Sequence, residues 1–278
     1  MTGVVTAGPP QMSDAARVEN PLRPRRVILR RYAAYIAVTL AVLAMAQQII
    51  IAETDWARMG SAAELLREAA AFLPNLAFMP EVLFPLLETL LMALWGTAMA
   101  VALSIPIAYL AAKNISPYYP LAYVFGRGVI VLSRSTHEII FALLFVSALG
   151  LGPLPGILAL GCRSVGFMAK TTAEAIENVI PGPIEAIEAT GAGPIKVFLF
   201  GVVPQVFPIW LGNVIFQLDI NLRRASILGL VGAGGIGLMF AEKMQMLEYD
   251  KAGSVVLGIT VMVIAGEYFS NRIRTRLI

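Results

Sequence analysis

The sequence predicts an all-α, polytopic membrane protein with about six transmembrane helices, and three observations lead to this prediction. Of the 278 residues, 58% are hydrophobic and only 14% are charged, whereas about a quarter of the residues in an ordinary soluble domain carry a charge. The mean hydropathy is +0.76. Several apolar stretches also reach the roughly 20 residues that a helix needs to cross a bilayer. We therefore expect membrane lipid to be the solvent of this chain.

The supply of reactive side chains excludes several classes of function. A single cysteine, Cys162, rules out an internal disulfide, and the single histidine is His137. Zinc, haem and most catalytic triads need more such groups than this chain offers. We expect no metal ion, no catalytic residue and no nucleic-acid partner.

The chain divides into an N-terminal arm and a membrane domain. Residues 1–31 are rich in Pro, Gly and Arg and predict a flexible, basic cytoplasmic arm, and residues 32–278 form the membrane domain. The first span is predicted at 32–52. A cleaved signal peptide is the competing interpretation, because Ala44-Met45-Ala46 resembles a cleavage site. An uncleaved span is favoured, because this apolar region is longer than a signal peptide's usual 7–15 residues.

The remaining spans follow from the apolar runs. Ser61 and Glu64 form a capping box that predicts a short interfacial helix before the second span. The third span is broken by charges, so its first half is expected on the cytoplasmic side, with 137–149 the deeper part. A polar helix is expected between spans four and five. The ranges of spans two to four, the polar helix and the sixth span are 82–112, 121–149, 155–173, 183–199 and 252–269, and the fifth span starts at Gln205.

The distribution of Lys and Arg predicts the orientation. The N-terminal arm contains six, the segment 113–134 three and the C-terminal tail three, while the loops 53–81 and 240–251 have two each, offset by acidic residues. Cytoplasmic loops carry the excess of basic residues. Both termini are therefore expected in the cytoplasm.

A glycine-rich run, SILGLVGAGGIGLMF at 226–240, fits the G-x-G-x-x-G pattern of dinucleotide-binding turns. That fingerprint needs a strand before it, a helix after it and an acidic residue about 20 positions further on, within a sheet. Only about forty residues follow the run, and half of them form a membrane span. A packing and gating role is favoured, because glycine allows positive φ and close helix approach. The glycines concerned are Gly232, Gly234, Gly235 and Gly237.

The segment 182–208, between spans four and five, carries a second motif. Glu185-Ala186, Gly191 six residues after the glutamate and Pro204 thirteen residues after that glycine resemble the EAA loop of ABC importer permeases. The third alanine of that motif is Ile187 here. The resemblance implies a coupling loop at 181–204 that docks in a cleft of a separate ATPase. The resemblance implies that the residues for coupling to the ATPase are Glu185, Ala186, Glu188, Gly191, Ala192 and Pro204.

The resemblance extends from about residue 82 to the C-terminus. The segments 138–161, 170–179, 189–208 and 218–237 together look like the permease of phosphonate ABC transporters. This implies the type I importer fold, a homodimer of this chain, two ABC ATPase subunits and an extracytoplasmic phosphonate-binding protein. ATP and magnesium would be bound by the ATPase, with no cofactor on this chain. Phosphite, phosphate and methionine are alternative cargoes, since methionine importer permeases share the Val-Gly-Ala-Gly-Gly segment.

Burying an ionisable residue inside the membrane costs free energy, so such residues suggest a function. Arg223 is expected about 27 Å along the fifth span, where it either contacts the passing anion or pairs with Asp219 or Glu138. Arg134 and Glu138 are spaced as i, i+4 partners, so we expect them to form an ion pair. The candidate substrate-pathway residues are Arg223, Asn221, Asp219, Arg134 and Glu138.

Two other classes of function compete with a transport subunit. One is a membrane-embedded enzyme that binds a nucleotide at the glycine run, and the other is a passive channel. The sequence contains no G-x-x-x-x-G-K-[ST] segment, so a transporter of this kind must obtain ATP hydrolysis from a separate chain.

Overall fold

The computed structural model describes residues 25–52 and 60–277. Residues 1–24 of the expected basic arm lie outside the described residues, as do 53–59 of the loop after the first span. The described parts of the chain are helical and contain no strand. The helices are α1 Arg25–Ala46, α2 Ala62–Ala71, α3 Met79–Ala111, α4 Leu121–Ser135, α5 Glu138–Leu149, α6 Pro153–Glu177, α7 Pro181–Glu188, α8 Pro194–Val197, α9 Val203–Leu228, α10 Gly235–Gln245 and α11 Tyr249–Leu277.

The chain divides between Leu65 and Leu66 into two compact units. In the first, α1 continues into a π-helical turn, Gln47–Ala52. The capping box is confirmed at the start of α2, where the Ser61 amide donates to Glu64 Oε2 at 2.8 Å and the Glu64 amide donates to Ser61 Oγ at 3.3 Å.

Four helical stretches in the described residues are long and apolar enough to cross a membrane. They are Leu29–Ile49, Ala62–Ala111, Pro194–Val231 and Tyr249–Thr275, and the pair α4 and α5 makes a fifth if it is one broken span. The predicted fourth span corresponds to α6, which is 25 residues long. This helix is less apolar than the four stretches above, because it carries Arg163, Lys170 and two glutamates.

Helix α6 packs along α3 at the centre of the second unit, and small residues bring the two helices together. A Cβ on Gly96 would lie 2.8 Å from the Leu160 Cβ, so the backbones meet too closely for a larger residue. Buried alanines such as Ala93 and Ala159 continue this contact. Helix packing in membranes relies on such small residues, because lipid offers no hydrophobic drive for association.

Helix α3 runs unbroken for 33 residues through Pro85 and Pro106. The Thr89 hydroxyl donates a hydrogen bond to the Pro85 carbonyl oxygen at 2.8 Å. Membrane helices tolerate internal proline where neighbouring helices pack around them, as α6 and α9 do here.

The third predicted span is two helices, α4 and α5, joined with a bend of 89°. His137 caps α5, since its Nδ1 accepts the Ile139 amide at 3.3 Å. The predicted i, i+4 ion pair between Arg134 and Glu138 was wrong, because these residues lie on different helices on either side of the bend.

The predicted polar helix at 183–199 was also wrong as a single element. It is divided into α7 and α8, and Gly191, with φ of 78°, lies in the turn between them. A π-helical turn, Phe198–Val202, then joins α8 to α9.

Candidate functional site

The segment between α6 and α9 presents one face of α7 to solvent. Ile184 and Ile187 are half-buried, and their side chains lie against Gly201 at the start of the next span. Glu185, Ala186 and Glu188 are exposed on the other side of the helix. The apolar residues therefore hold α7 on the bundle and leave its acidic face available to a partner.

Gln205 connects this segment to the membrane helices. Its side-chain amide donates to the carbonyl oxygens of Gly201 at 2.7 Å and Ile180 at 3.3 Å, and its Oε1 accepts the Ile180 amide at 2.9 Å. Because Ile180 caps α7 and Gln205 belongs to α9, one side chain ties the two helices together. Of the other expected coupling residues, Gly191 is exposed in the turn, Ala192 is half-buried and Pro204 is exposed at the first turn of α9.

Glu138 lies at the centre of a group of charges on four helices. Its side chain is only 9% exposed. Arg224 on α9 places Nε 3.1 Å from Glu138 Oε1, and Arg163 on α6 places Nε 3.8 Å from Oε2. Arg134 has no acidic partner within ion-pair distance among the described residues, and its side chain is exposed. The bend between α4 and α5 thus places Glu138 beside two arginines that are remote from it in sequence.

Arg223 pairs with Asp219 one turn earlier on α9. The Asp219 side chain is 9% exposed and that of Arg223 is 45% exposed. Arg223 also lines a cavity of about 450 Å³ whose other walls are mainly aliphatic residues of α9 and α11. Of the two pairings considered from the sequence, the structure forms the one with Asp219.

Asn221 belongs to a buried hydrogen-bond network that joins α3, α6 and α9. Its Oδ1 accepts Ser164 Oγ and Gln217 Nε2, and its Nδ2 donates to Thr97 Oγ1, each at 2.9 Å. Gln217 Nε2 also lies 2.9 Å from Ser164 Oγ. All four side chains are at least 96% buried. The side-chain amide of Asn221 therefore forms its hydrogen bonds with other side chains of the same bundle.

The glycine run forms a compact link between α9 and α10. Gly232, Gly234 and Gly235 have φ of 84°, 78° and 69°, which L side chains rarely adopt. The Gly152 amide donates to the Gly232 carbonyl at 3.1 Å. The Ile236 amide donates to Thr89 Oγ1 at 2.8 Å. No strand flanks the run within the described residues, so it lacks the sheet that a dinucleotide site requires.

A protein-family profile, the binding-protein-dependent transport system inner membrane component, matches residues 68–277. This match covers most of the chain. The chain belongs to this family. It is a permease of the inner membrane that crosses the bilayer several times.

Two curated relatives of this permease are named for phosphate and phosphite transport. The phosphate-import permease protein PhnE of Mycolicibacterium smegmatis is 43% identical over 191 residues, which are 69% of this chain and 36% of that protein. The phosphite transport system permease protein PtxC of Stutzerimonas stutzeri is 41% identical over 190 residues, 68% of this chain and 69% of that protein. The matched region therefore spans about a third of the length of the mycobacterial protein.

Solved structures show the same fold as this permease. Inward-facing structures of the MetNI methionine ABC transporter match with a TM-score of 0.62 at 19% identity, covering 73% of this chain and 99% of that chain. An amino acid ABC transporter matches with a TM-score of 0.58 at 16% identity, covering 78% of this chain and 99% of that chain. The all-α importer-permease fold predicted from the sequence is confirmed.

Several residues that organise these sites were not singled out from the sequence. Thr97, Ser164 and Gln217 are polar residues within apolar spans, and this contrast is visible in the sequence. Arg163 and Arg224 stand out in the sequence as charges within spans, but their pairing with Glu138 depends on the bend between α4 and α5, which sequence spacing does not reveal. The sequence marks Gln205 only as the start of a span.

Proposed function

We propose that this permease forms the translocation pathway of an ATP-driven importer for phosphonate or a related phosphorus oxyanion. The observation that carries the coupling to an ATPase is the exposed acidic face of α7 on a helix anchored by Ile184 and Ile187. A short amphipathic helix of this kind suits docking in a groove of a soluble partner. Glu185 and Ala186, with Glu188, would make that contact, and Gly191, Ala192 and Pro204 would shape the turn and the return into the membrane.

The partners follow from the same proposal. Two ATPase subunits would bind ATP and magnesium, this chain would hold no cofactor and catalyse no reaction, and an extracytoplasmic binding protein would deliver the cargo. We propose a homodimer of residues 32–278 as the membrane unit, with residues 1–31 a cytoplasmic arm. The glycine link would act in gating, because it joins a pathway helix to α10 through a turn whose positive φ angles require glycine.

The cargo assignment is supported by the relatives. Proteins named for phosphate and phosphite import share 41–43% of their aligned residues with this chain. A relative named for D-methionine transport shares only 23%. Phosphonate, phosphite and phosphate have the same charged oxygens around phosphorus, so one set of cationic groups can bind each of them.

The test is uptake into proteoliposomes that contain this permease, its ATPase and its binding protein. ATP-dependent uptake of labelled methylphosphonate, phosphite or phosphate is expected, and absence of uptake for all three would overturn the cargo assignment. Glu185→Ala should abolish uptake and copurification of the ATPase while the protein still inserts. Glu242→Ala is the matched control, because Glu242 is an exposed glutamate on α10 and should leave copurification intact.

The same preparation separates the competing classes of function. Uptake without ATP and without the other subunits would indicate a passive channel. Stoichiometric binding of labelled NAD or FAD to the purified chain would indicate a nucleotide-dependent enzyme. Either result would contradict the proposed importer.

A further inference from the structure

A charged cluster lies where four helices of the bundle, α4, α5, α6 and α9, come together. It consists of Arg134, Glu138, Arg163 and Arg224. Ser133, the neighbour of Arg134, locks α4 to α6: its Oγ donates to the Cys162 carbonyl at 2.5 Å and accepts the Gly166 amide at 2.9 Å. The stem of Arg134 therefore lies against Gly166, one turn beyond Arg163. Glu138, the first residue of α5, reaches both Arg163 and Arg224.

The cluster carries more positive than negative charge. Three arginines and one glutamate leave two positive charges in excess, counting +3 and −1. The nearby acidic residue Asp219 is occupied by Arg223. Glu138 is the acidic residue within ion-pair distance of Arg163 among the described residues. Surplus charge inside a helix bundle is costly unless a counter-ion compensates it.

The arginines retain the donors that an oxyanion needs. Arg163 and Arg224 each approach Glu138 with Nε, and no hydrogen bond joins their terminal Nη groups to another residue in the described part of the chain. Their side chains are 21% and 25% exposed, so solvent or a ligand can reach them. Guanidinium Nη groups match phosphoryl oxygens in forked, charge-assisted hydrogen bonds.

We propose that Arg163 and Arg224, oriented by Glu138, form a transit site for a phosphorus oxyanion inside the permease, with Arg134 at its edge. The excess positive charge is +1 for Arg163, Arg224 and Glu138 and +2 with the exposed Arg134. This charge suits an anionic phosphorus ligand, since the related phosphate monoesters carry about −1.5 to −2 at pH 7. Glu138 is a positioning residue that pairs with both guanidinium groups, at 3.1 Å and 3.8 Å, and offsets part of their charge. The inference rests on the proposed function and assigns the cargo contacts to Arg163 and Arg224, whereas Arg223 is the partner of Asp219.

The experiment measures methylphosphonate uptake and binding-protein-stimulated ATP hydrolysis in proteoliposomes with all subunits. Arg163→Gln and Arg224→Gln should each lower uptake at least about tenfold, the effect of losing a charge-assisted hydrogen bond, while ATP hydrolysis stays within about twofold. Arg163→Lys and Arg224→Lys keep the charge and should lose less. Lys170→Gln is the control, because Lys170 lies on the same helix, pairs with Glu174 and is outside the cluster.

The double variant Glu138→Gln/Arg224→Gln separates cargo binding from a structural ion pair. It keeps the net charge of the cluster and leaves no unpaired carboxylate, yet removes the donors of Arg224. Continued loss of uptake supports the transit site. Uptake restored to the wild-type rate overturns it, because Arg224 would then serve only to neutralise Glu138. Wild-type proteoliposomes that import no phosphorus oxyanion would instead contradict the proposed function.

Discussion

Asn221 Oδ1 on α9 accepts a hydrogen bond from Ser164 Oγ on α6 at 2.9 Å, and both residues are fully buried. This contact is the centre of a network that also includes Thr97 on α3 and Gln217. In a bundle whose outer surface is apolar, the network specifies which faces of the three helices meet. It also accounts for polar residues at positions where lipid-facing helices have none.

Asn221→Leu should destabilise the permease by about 1–3 kcal/mol, because Ser164, Gln217 and Thr97 would each lose a buried partner. The measurement is the thermal unfolding midpoint of the protein in detergent. Thr260→Ala is the control, since Thr260 is exposed and bonds only to the carbonyl of its own helix. Equal midpoints for the two variants would show that the network does not contribute to stability.

Gly237→Ala should prevent correct packing of α9 against α10. A Cβ on Gly237 would overlap the Ser226 carbonyl oxygen and lie 2.9 Å from the Gly229 Cα, and backbone atoms on two helices cannot yield as a flexible side chain can. The expected result is a large loss of monodisperse protein in size-exclusion chromatography. Gly128→Ala on α4 has open space around its Cβ and should retain the wild-type yield, as helix propensity favours alanine.

Arg223→Gln should lower stability by about 1–2 kcal/mol, because it leaves the Asp219 carboxylate unpaired. The double variant Asp219→Asn/Arg223→Gln should recover both stability and uptake, since it removes the charge together with its partner. A double variant that folds normally but does not transport would instead make Arg223 a cargo-contacting residue. Thermal unfolding and uptake, measured on the same preparations, distinguish these outcomes.

Gln205→Ala should uncouple ATP hydrolysis from uptake without unfolding the bundle. The substitution removes both hydrogen bonds between Gln205 and Ile180, the cap of α7, so α7 would move without carrying the membrane helices with it. We expect copurification of the ATPase to persist and uptake per ATP hydrolysed to fall several-fold. Unchanged uptake per ATP would show that the anchoring isoleucines are sufficient for coupling.

The loop between α10 and α11 should respond to acid through Glu248. Hydrogen bonds from Lys251 at 2.7 Å and Lys243 at 3.0 Å hold the pKa of the Glu248 carboxyl below its ordinary value of 4.5. Its contribution to stability is therefore complete above pH 4.5 and is lost as the pH falls through the lowered pKa. The difference in unfolding midpoint between wild type and Glu248→Gln should shrink below pH 4.5, and a difference independent of pH would contradict this.

The class of protein follows from the sequence alone, because hydropathy and the Lys/Arg distribution depend on composition along the chain. It also located a helix around Glu185 and the glycine link after α9, but not the turn at Gly191 that divides the predicted helix into α7 and α8. These features rest on local signals such as capping, proline placement and glycine spacing, which act over only a few residues.

The pairing of the charges, by contrast, follows from the packing of the helices. Glu138 and Arg134 are four residues apart and looked like a pair within one helix, but the bend of 89° separates them. Glu138 instead joins Arg163 and Arg224, which are 25 and 86 positions away in the chain. Helix spacing predicts contacts only where the helix continues, and packing between helices brings together residues whose separation in sequence carries no signal.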